Sequence, residues 1–311
     1  MKFGSALSTA WQSFFFKPYS SLPISVFRIL FGLLALEYAN LLSEDILTWF
    51  GPNGTISFDC MQRMLGSSCL DLLCFLPRTD ETVLVFFGIF VLSAIFVTLG
   101  LFTRLSTVVL YLTLSSLHYR NPIILNSGDD LLRVYSFFML FAPAGDYLSI
   151  DALWKKRQKP GWQPEARSPW AQRLIQIEIC LLYLQYTVTK LLDPYWLNGS
   201  AVYYVLISPE LERFPLFFDR HSLLVSQILT WGTLVQEALL CTLIWSRKYK
   251  YYVLAAGLFF HFCLDYCLNI PIFQHVIVCS YILFVEPQDL QKFFDNCKSR
   301  FLLPKKKTRA D

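Results

Sequence analysis

The chain has 311 residues, of which 55% are apolar, 17% aromatic and only 16% charged. A soluble domain carries nearer a quarter charged residues, and a mean hydropathy of +0.44 is more apolar content than one soluble core can cover. The composition excludes an ordinary soluble enzyme and identifies an all-α, polytopic integral membrane protein. The net charge of +4 is small, and its distribution follows membrane topology and anionic headgroups rather than a nucleic-acid partner.

Residues 1–23 carry Lys2 and Lys17 but no compact apolar core with a small-residue cleavage site, so the first long apolar stretch is expected to be an uncleaved anchor. Eight apolar segments follow: Ile24–Leu42, Val83–Phe102, Leu105–Tyr119, Leu131–Ile150, Leu174–Leu192, Leu223–Trp245, Tyr251–Ile270 and Ile272–Val285. About 20 residues at 1.5 Å rise match a hydrocarbon core of about 30 Å. The third and eighth are the shortest. The runs are continuously apolar, without the alternation of a barrel strand, so helices are expected. No linker between them resembles a domain boundary. One transmembrane domain, residues 24–285, is expected between a cytoplasmic segment, 1–23, and a basic cytoplasmic tail, 286–311.

Loop charges give the orientation. With a cytoplasmic N-terminus and eight crossings, the inner side collects Lys2, Lys17, Arg104, the cluster from Lys155 to Arg173, Arg247, Lys248, Lys250 and the tail from Lys292 to Arg309. The outer side keeps only Arg63, Arg78, Arg120, Arg213 and Arg220. That bias follows the positive-inside rule and places both termini in the cytoplasm of a cell membrane, the bacterial inner membrane or its equivalent. Cys60, Cys69 and Cys74 share the first outer loop, where one disulfide is chemically possible. The loop 208–220, with Pro209 and Pro215, is the longest outer connection of the second half.

Charges inside the spans are costly and mark candidate sites. Arg28 lies near the inner end of the first span, from which its side chain can snorkel. Nine residues separate it from Glu37, too far for direct pairing. Asp129, Asp130 and Arg133 stand at i, i+3 and i, i+4 spacing, ready to pair at the start of the fourth span. In the fifth, Gln176, Cys180, Tyr183, Thr187 and Lys190 recur at steps of four, three, four and three, a single polar stripe facing protein or water. Lys190 is the most expensive member. It is either an anchor paired with Asp193 three residues on, or a partly desolvated amine able to act as a base. Glu237, His261 with Asp265 four residues later, and His275 are read as a polar network between helices. Two ligands on one helix fall short of a metal site, so no metal is expected. The chain contains no Gly-rich phosphate loop, nucleophile elbow or nucleotide fingerprint.

Several short strings then align with one known pattern: Arg28-Ile-Leu-Phe-Gly32, Gly100-Leu-Phe-Thr-Arg104, Arg120-Asn-Pro122 with Gly128-Asp129, Ala142-Pro-Ala-Gly145 and Leu148-Ser-Ile-Asp151. In this order they resemble the horizontally transferred transmembrane (HTTM) domain proteins, relatives of vitamin K-dependent gamma-glutamyl carboxylase. The resemblance implies a lysine base acting on a lipophilic quinone such as vitamin K hydroquinone. Val188-Thr-Lys190-Leu-Leu-Asp193, followed by Trp196 and Gly199, is similar to the carboxylase string, with Lys190 at its base and one extra residue before the tryptophan. Where the carboxylase has a histidine that holds the quinone, this chain has Gly128-Asp129-Asp130, with His118 out of register. A counterpart of the substrate-docking lumenal region does not follow residue 285, so protein carboxylation is not the expected reaction. The expectation is a lipid or quinone site at the outer face built on Lys190, with Tyr183, Thr187, Asp193, Trp196, Asp129, Arg133, Glu237, His261 and Asp265. The alternative is a non-enzymatic transporter-like or assembly protein whose intramembrane charges are structural.

Overall fold

The computed structural model describes residues 2–66, 70–214, 216 and 222–301. All named elements among them are helical: α1 Lys2–Phe16, α2 Leu22–Ser43, α3 Ile46–Phe50, α4 Phe58–Leu65, α5 Asp80–Leu99, α6 Thr103–Arg120, α7 Ser127–Met139 and α8 Ile150–Gln158. The second half adds α9 Trp170–Leu191, α10 Pro194–Leu197, α11 Ala201–Leu206, α12 Leu223–Thr242, α13 Lys250–Cys267, α14 Phe273–Ser280 and α15 Pro287–Phe301. Cys69, Pro215, Arg220 and the Lys305–Lys307 end of the tail lie outside the described residues.

Each of the eight apolar stretches contains a helix, but their lengths differ. Leu22–Ser43, Asp80–Leu99 and Leu223–Trp245 are long and apolar enough to cross a bilayer. The helices α6, α9 and α13 have the length but are diluted by Ser, Thr, Gln, His and charge. The fourth segment departs most from expectation. Its helix begins at a capping box, in which the Asn126 side chain accepts from Gly128 N at 2.6 Å while Asp129 accepts from Asn126 N at 2.6 Å, and it ends at Met139. Thirteen residues at 1.5 Å rise reach only about 20 Å. Pro143 and Gly145, the helix breakers of the Ala-Pro-Ala-Gly string, turn Leu140–Ser149 into an irregular loop. The helices α1 and α15 lie outside the apolar stretches, and α8 starts on the last residue of the fourth. Of the pairings possible in the first outer loop, Cys60 and Cys74 are not bonded to each other, and the Cys74 thiol donates to Asp71 Oδ2 at 2.9 Å.

The core runs along α2, α5, α6, α7, α9 and α14 through Phe27, Phe31, Phe90, Leu114, Leu132, Ile175 and Val276. Helices α2 and α5 approach closely because Gly32 faces Thr98; a Cβ there would sit 2.8 Å from the Thr98 backbone nitrogen.

The motif strings meet at one end of this bundle, termed basal here. Arg28 is fully buried and does not snorkel. Its terminal nitrogens donate to the carbonyls of Ala144 at 3.0 Å and Leu148 at 2.6 Å, the loop that replaces the end of the fourth segment. Gly100 ends α5 in the left-handed region, φ 67°, and any Cβ there would overlap the Arg28 guanidinium and Ser149. Asp151 closes the N-terminus of α6 from 48 residues away, accepting from Phe102 N at 2.9 Å, Thr103 N at 2.8 Å and Thr103 Oγ1 at 2.7 Å. Four strings from three distant regions of the sequence thus form one hydrogen-bonded knot. At the same end the Tyr19 hydroxyl donates to Glu286, which also pairs with Lys250 at 2.5 Å.

Candidate functional site

At the other, distal end, α9 packs along α12 and brings Lys190 to Glu237, with which its ammonium forms an ion pair. The side chain of Glu237 is only 6% exposed and that of Lys190 19%. Two rings complete the surroundings of the ammonium: Trp196, whose centroid is 4.5 Å from Nζ, and Tyr186 at 5.6 Å. Contacts of this kind contribute about 0.5–2 kcal/mol each, more when water is excluded. Oε2 of Glu237 and Oγ1 of Thr187, one turn before Lys190, are buried without a hydrogen-bond partner.

Asp193, the neighbour in sequence, does not pair with Lys190. Its carboxylate caps α10, accepting from Tyr195 N at 2.8 Å. That cap and the short α10 swing Trp196 back over the amine, so Asp193 positions the ring and leaves the charge to Glu237.

The rest of the stripe on α9 faces protein, as its spacing requires. Gln176 Nε2 donates to Leu283 O at 2.7 Å, and Cys180 Sγ accepts from Trp245 Nε1 at 3.2 Å. Tyr183 is buried, with its hydroxyl 2.6 Å from His261 Nε2 and 2.8 Å from the Tyr281 hydroxyl. His261 Nδ1 lies 2.5 Å from Gln274 Oε1. The expected grouping of Glu237, His261 and Asp265 therefore divides in three. Glu237 belongs to Lys190, and His261 to a tyrosine–glutamine chain. Asp265 belongs to a third cluster, 2.6 Å from Arg213 Nη1 and 3.7 Å from His275 Nε2, whose Nδ1 meets Glu37 at 2.6 Å.

The other predicted members sit apart from the lysine. Arg133 pairs with Asp130 at 2.7 Å and lies over the Tyr119 ring. Asp129 is not its partner; it holds the α7 cap and a hydrogen bond with Tyr38. His118 is fully buried edge-on to Tyr38, its ring nitrogens without hydrogen-bond partners. Tyr186 was not among the expected residues. It lies off the five-residue polar stripe, one turn before Lys190, and only the folded position of the lysine side chain selects it.

Three of the described helices are long and apolar enough to cross a membrane, and a lysine–glutamate pair ties one of them, α12, to α9. The chain belongs to the HTTM domain family, whose HTTM domain matches residues 16–288. It is also similar to the uncharacterized protein YitO of Bacillus subtilis (strain 168), 29% identical over 121 residues. That stretch is 37% of this chain and 39% of YitO, so the match spans well under half of either protein. No solved structure matches the chain.

Proposed function

We propose that the protein is an eight-pass membrane protein with both termini in the cytoplasm of a bacterial inner membrane or its equivalent. Residues 24–285 form its transmembrane domain, 1–23 and 286–311 its cytoplasmic ends. In this reading the basal knot lies at the inner surface and Lys190 in the outer half of the bilayer. There it binds the polar head of a lipophilic quinol or lipid and accepts a proton from it. The observation that carries the reading is the ammonium of Lys190 held between Glu237, Trp196 and Tyr186, with the second Glu237 oxygen and the Thr187 hydroxyl unpartnered beside it.

Those two oxygens fit a polar head bearing hydroxyl groups, because one can accept and the other can accept or donate. The rings of Trp196 and Tyr186 supply apolar flanks. A hydroquinone, when bound, supplies an acidic hydroxyl. What the chain supplies is a base: the Lys190 proton passes to the Glu237 carboxylate, which burial favours in its neutral acid form. The amine so freed takes the proton of the ligand hydroxyl, leaving the ligand as its anion beside the Lys190 ammonium. Protein carboxylation is not part of the proposal.

The test is optical. Purified protein mixed anaerobically with a hydroquinone at neutral pH is expected to develop the quinolate absorption, and Lys190→Ala to lose it. Absence of binding, or an unchanged signal in Lys190→Ala, refutes the reading. The same ion pair favours one second reading, in which Lys190 and Glu237 neutralise each other as structural glue in a non-enzymatic transporter-like or assembly protein.

A further inference from the structure

The basal knot walls a cavity of about 510 Å³ that plays no part in the chemistry proposed for Lys190. Its apolar lining includes Phe102, Leu105, Met139 and Trp154, and its charged lining Arg104, Asp146, Asp151, Lys155 and Arg167. The two carboxylates are already engaged. Asp151 accepts three hydrogen bonds at the start of α6. Asp146 is 5% exposed and is met by Arg167 at 3.1 Å, Ser21 at 3.2 Å and Lys155 at 3.9 Å. Arg104 is exposed and, among the described residues, forms no ion pair. The charge left over at the cavity is therefore positive.

The apolar side of the cavity continues outward. Leu105 is 64% and Phe102 55% exposed, and the Phe102 and Trp154 rings pack 5.6 Å apart. Helix α8 ends in Lys155, Lys156 and Arg157 just past Trp154. An aromatic and aliphatic rim, one uncommitted guanidinium and a basic turn beyond it are the arrangement that a charged headgroup with acyl chains would match. A free soluble anion would have no use for the rim. Arginine matches a phosphate with two parallel hydrogen bonds, and a cavity of this volume is in the range that holds a small ligand.

We propose that this cavity is a binding site for the phosphate headgroup of an anionic phospholipid. Arg104 is its principal anion contact, and Phe102, Leu105 and Trp154 receive the start of the acyl chains. The inference requires that the basal end lie at a membrane surface. It uses none of the Lys190 chemistry, so the two readings fail separately.

The test uses the full chain in detergent, with retained lipid counted by native mass spectrometry against equal amounts of phosphatidylglycerol and phosphatidylcholine. At least fivefold preference for phosphatidylglycerol is expected in the unmodified protein. Arg104→Gln, a change at an exposed side chain, is expected to bring the two lipids within twofold of each other at an unchanged Tm. Lys248→Gln removes an exposed cation on the loop before α13, outside the cavity, and is expected to leave the preference intact. Equal retention of both lipids by the unmodified protein would overturn the site. So would full preference in Arg104→Gln, or an equal loss in Lys248→Gln, which would mark diffuse surface charge. Displacement of phosphatidylglycerol by millimolar inorganic phosphate would overturn the lipid assignment in favour of a soluble anion.

Discussion

Arg28 and Lys190 are both cations enclosed by helices, and the protein treats them differently. Arg28 is satisfied by backbone: its terminal nitrogens reach the carbonyls of Ala144 and Leu148, and among the described residues it forms no ion pair. Lys190 is satisfied by side chains, Glu237 and two rings, and remains 19% exposed. Each site has an unpartnered buried atom, Nε in Arg28 and Oε2 in Glu237, so an orphaned atom alone does not make a site. The difference is access and charge. The Arg28 knot is closed and its donors are aimed at fixed backbone. At the other site the Lys190 side chain keeps 19% of its surface exposed above a nearly buried Glu237. One cation holds a loop in place; the other is the one proposed to meet a ligand.

The largest expected effect breaks the first half of that contrast. Arg28→Met removes the donors that hold the Ala144–Leu148 loop, leaving buried carbonyls unsatisfied at about 1–3 kcal/mol each. Fluorescence-detected size exclusion is expected to show loss of the folded, monodisperse protein. If Arg28→Met runs and melts like the unmodified chain, the knot is not what organises the basal end.

Next comes the pair itself. Lys190→Met leaves Glu237 buried and unpaired, a loss of about 3–5 kcal/mol. The double variant Lys190→Met/Glu237→Gln removes both charges and is expected to recover most of the lost Tm. A double variant no more stable than the single one would show that the two side chains do not act as a pair.

Asp151→Asn keeps the shape but weakens three charge-assisted hydrogen bonds at the start of α6. A cap of this kind contributes about 1–2 kcal/mol, so a Tm drop smaller than that of Lys190→Met is expected. No drop would mean that α6 closes its own N-terminus. The smallest effect belongs to Asp130→Asn. Its pairing with Arg133 is half in solvent, worth about 0–1 kcal/mol, and a Tm change within that range is expected; a larger one would move this pair into the organising class.

The sequence made the helices legible because eight apolar runs of nearly bilayer length have few alternatives. It also made the stripe on α9 legible, since steps of three and four fix one helical face whatever lies opposite. What lay opposite was not legible. Asp193 was the nearest carboxylate in sequence, but a cap on α10 uses it, and the true partner is 47 residues away on α12. Arg28 resembled a snorkelling residue because its partners are carbonyls, which every residue has and no pattern reveals. The break in the fourth segment was visible in Pro143 and Gly145, yet the apolar residues on either side outweighed it. Grouping His261 with Asp265 by their spacing failed because the two side chains, four residues apart on one helix, turn to different neighbours.

In the proposed function Lys190 is used as well as paired. The most direct measurement is equilibrium binding of a hydroquinone to the unmodified protein and to Lys190→Met/Glu237→Gln, at matched Tm. Saturable binding to the former is expected, weakened at least tenfold in the latter although the double variant remains folded. Equal affinity in the two proteins would contradict it and leave Lys190 as structural glue.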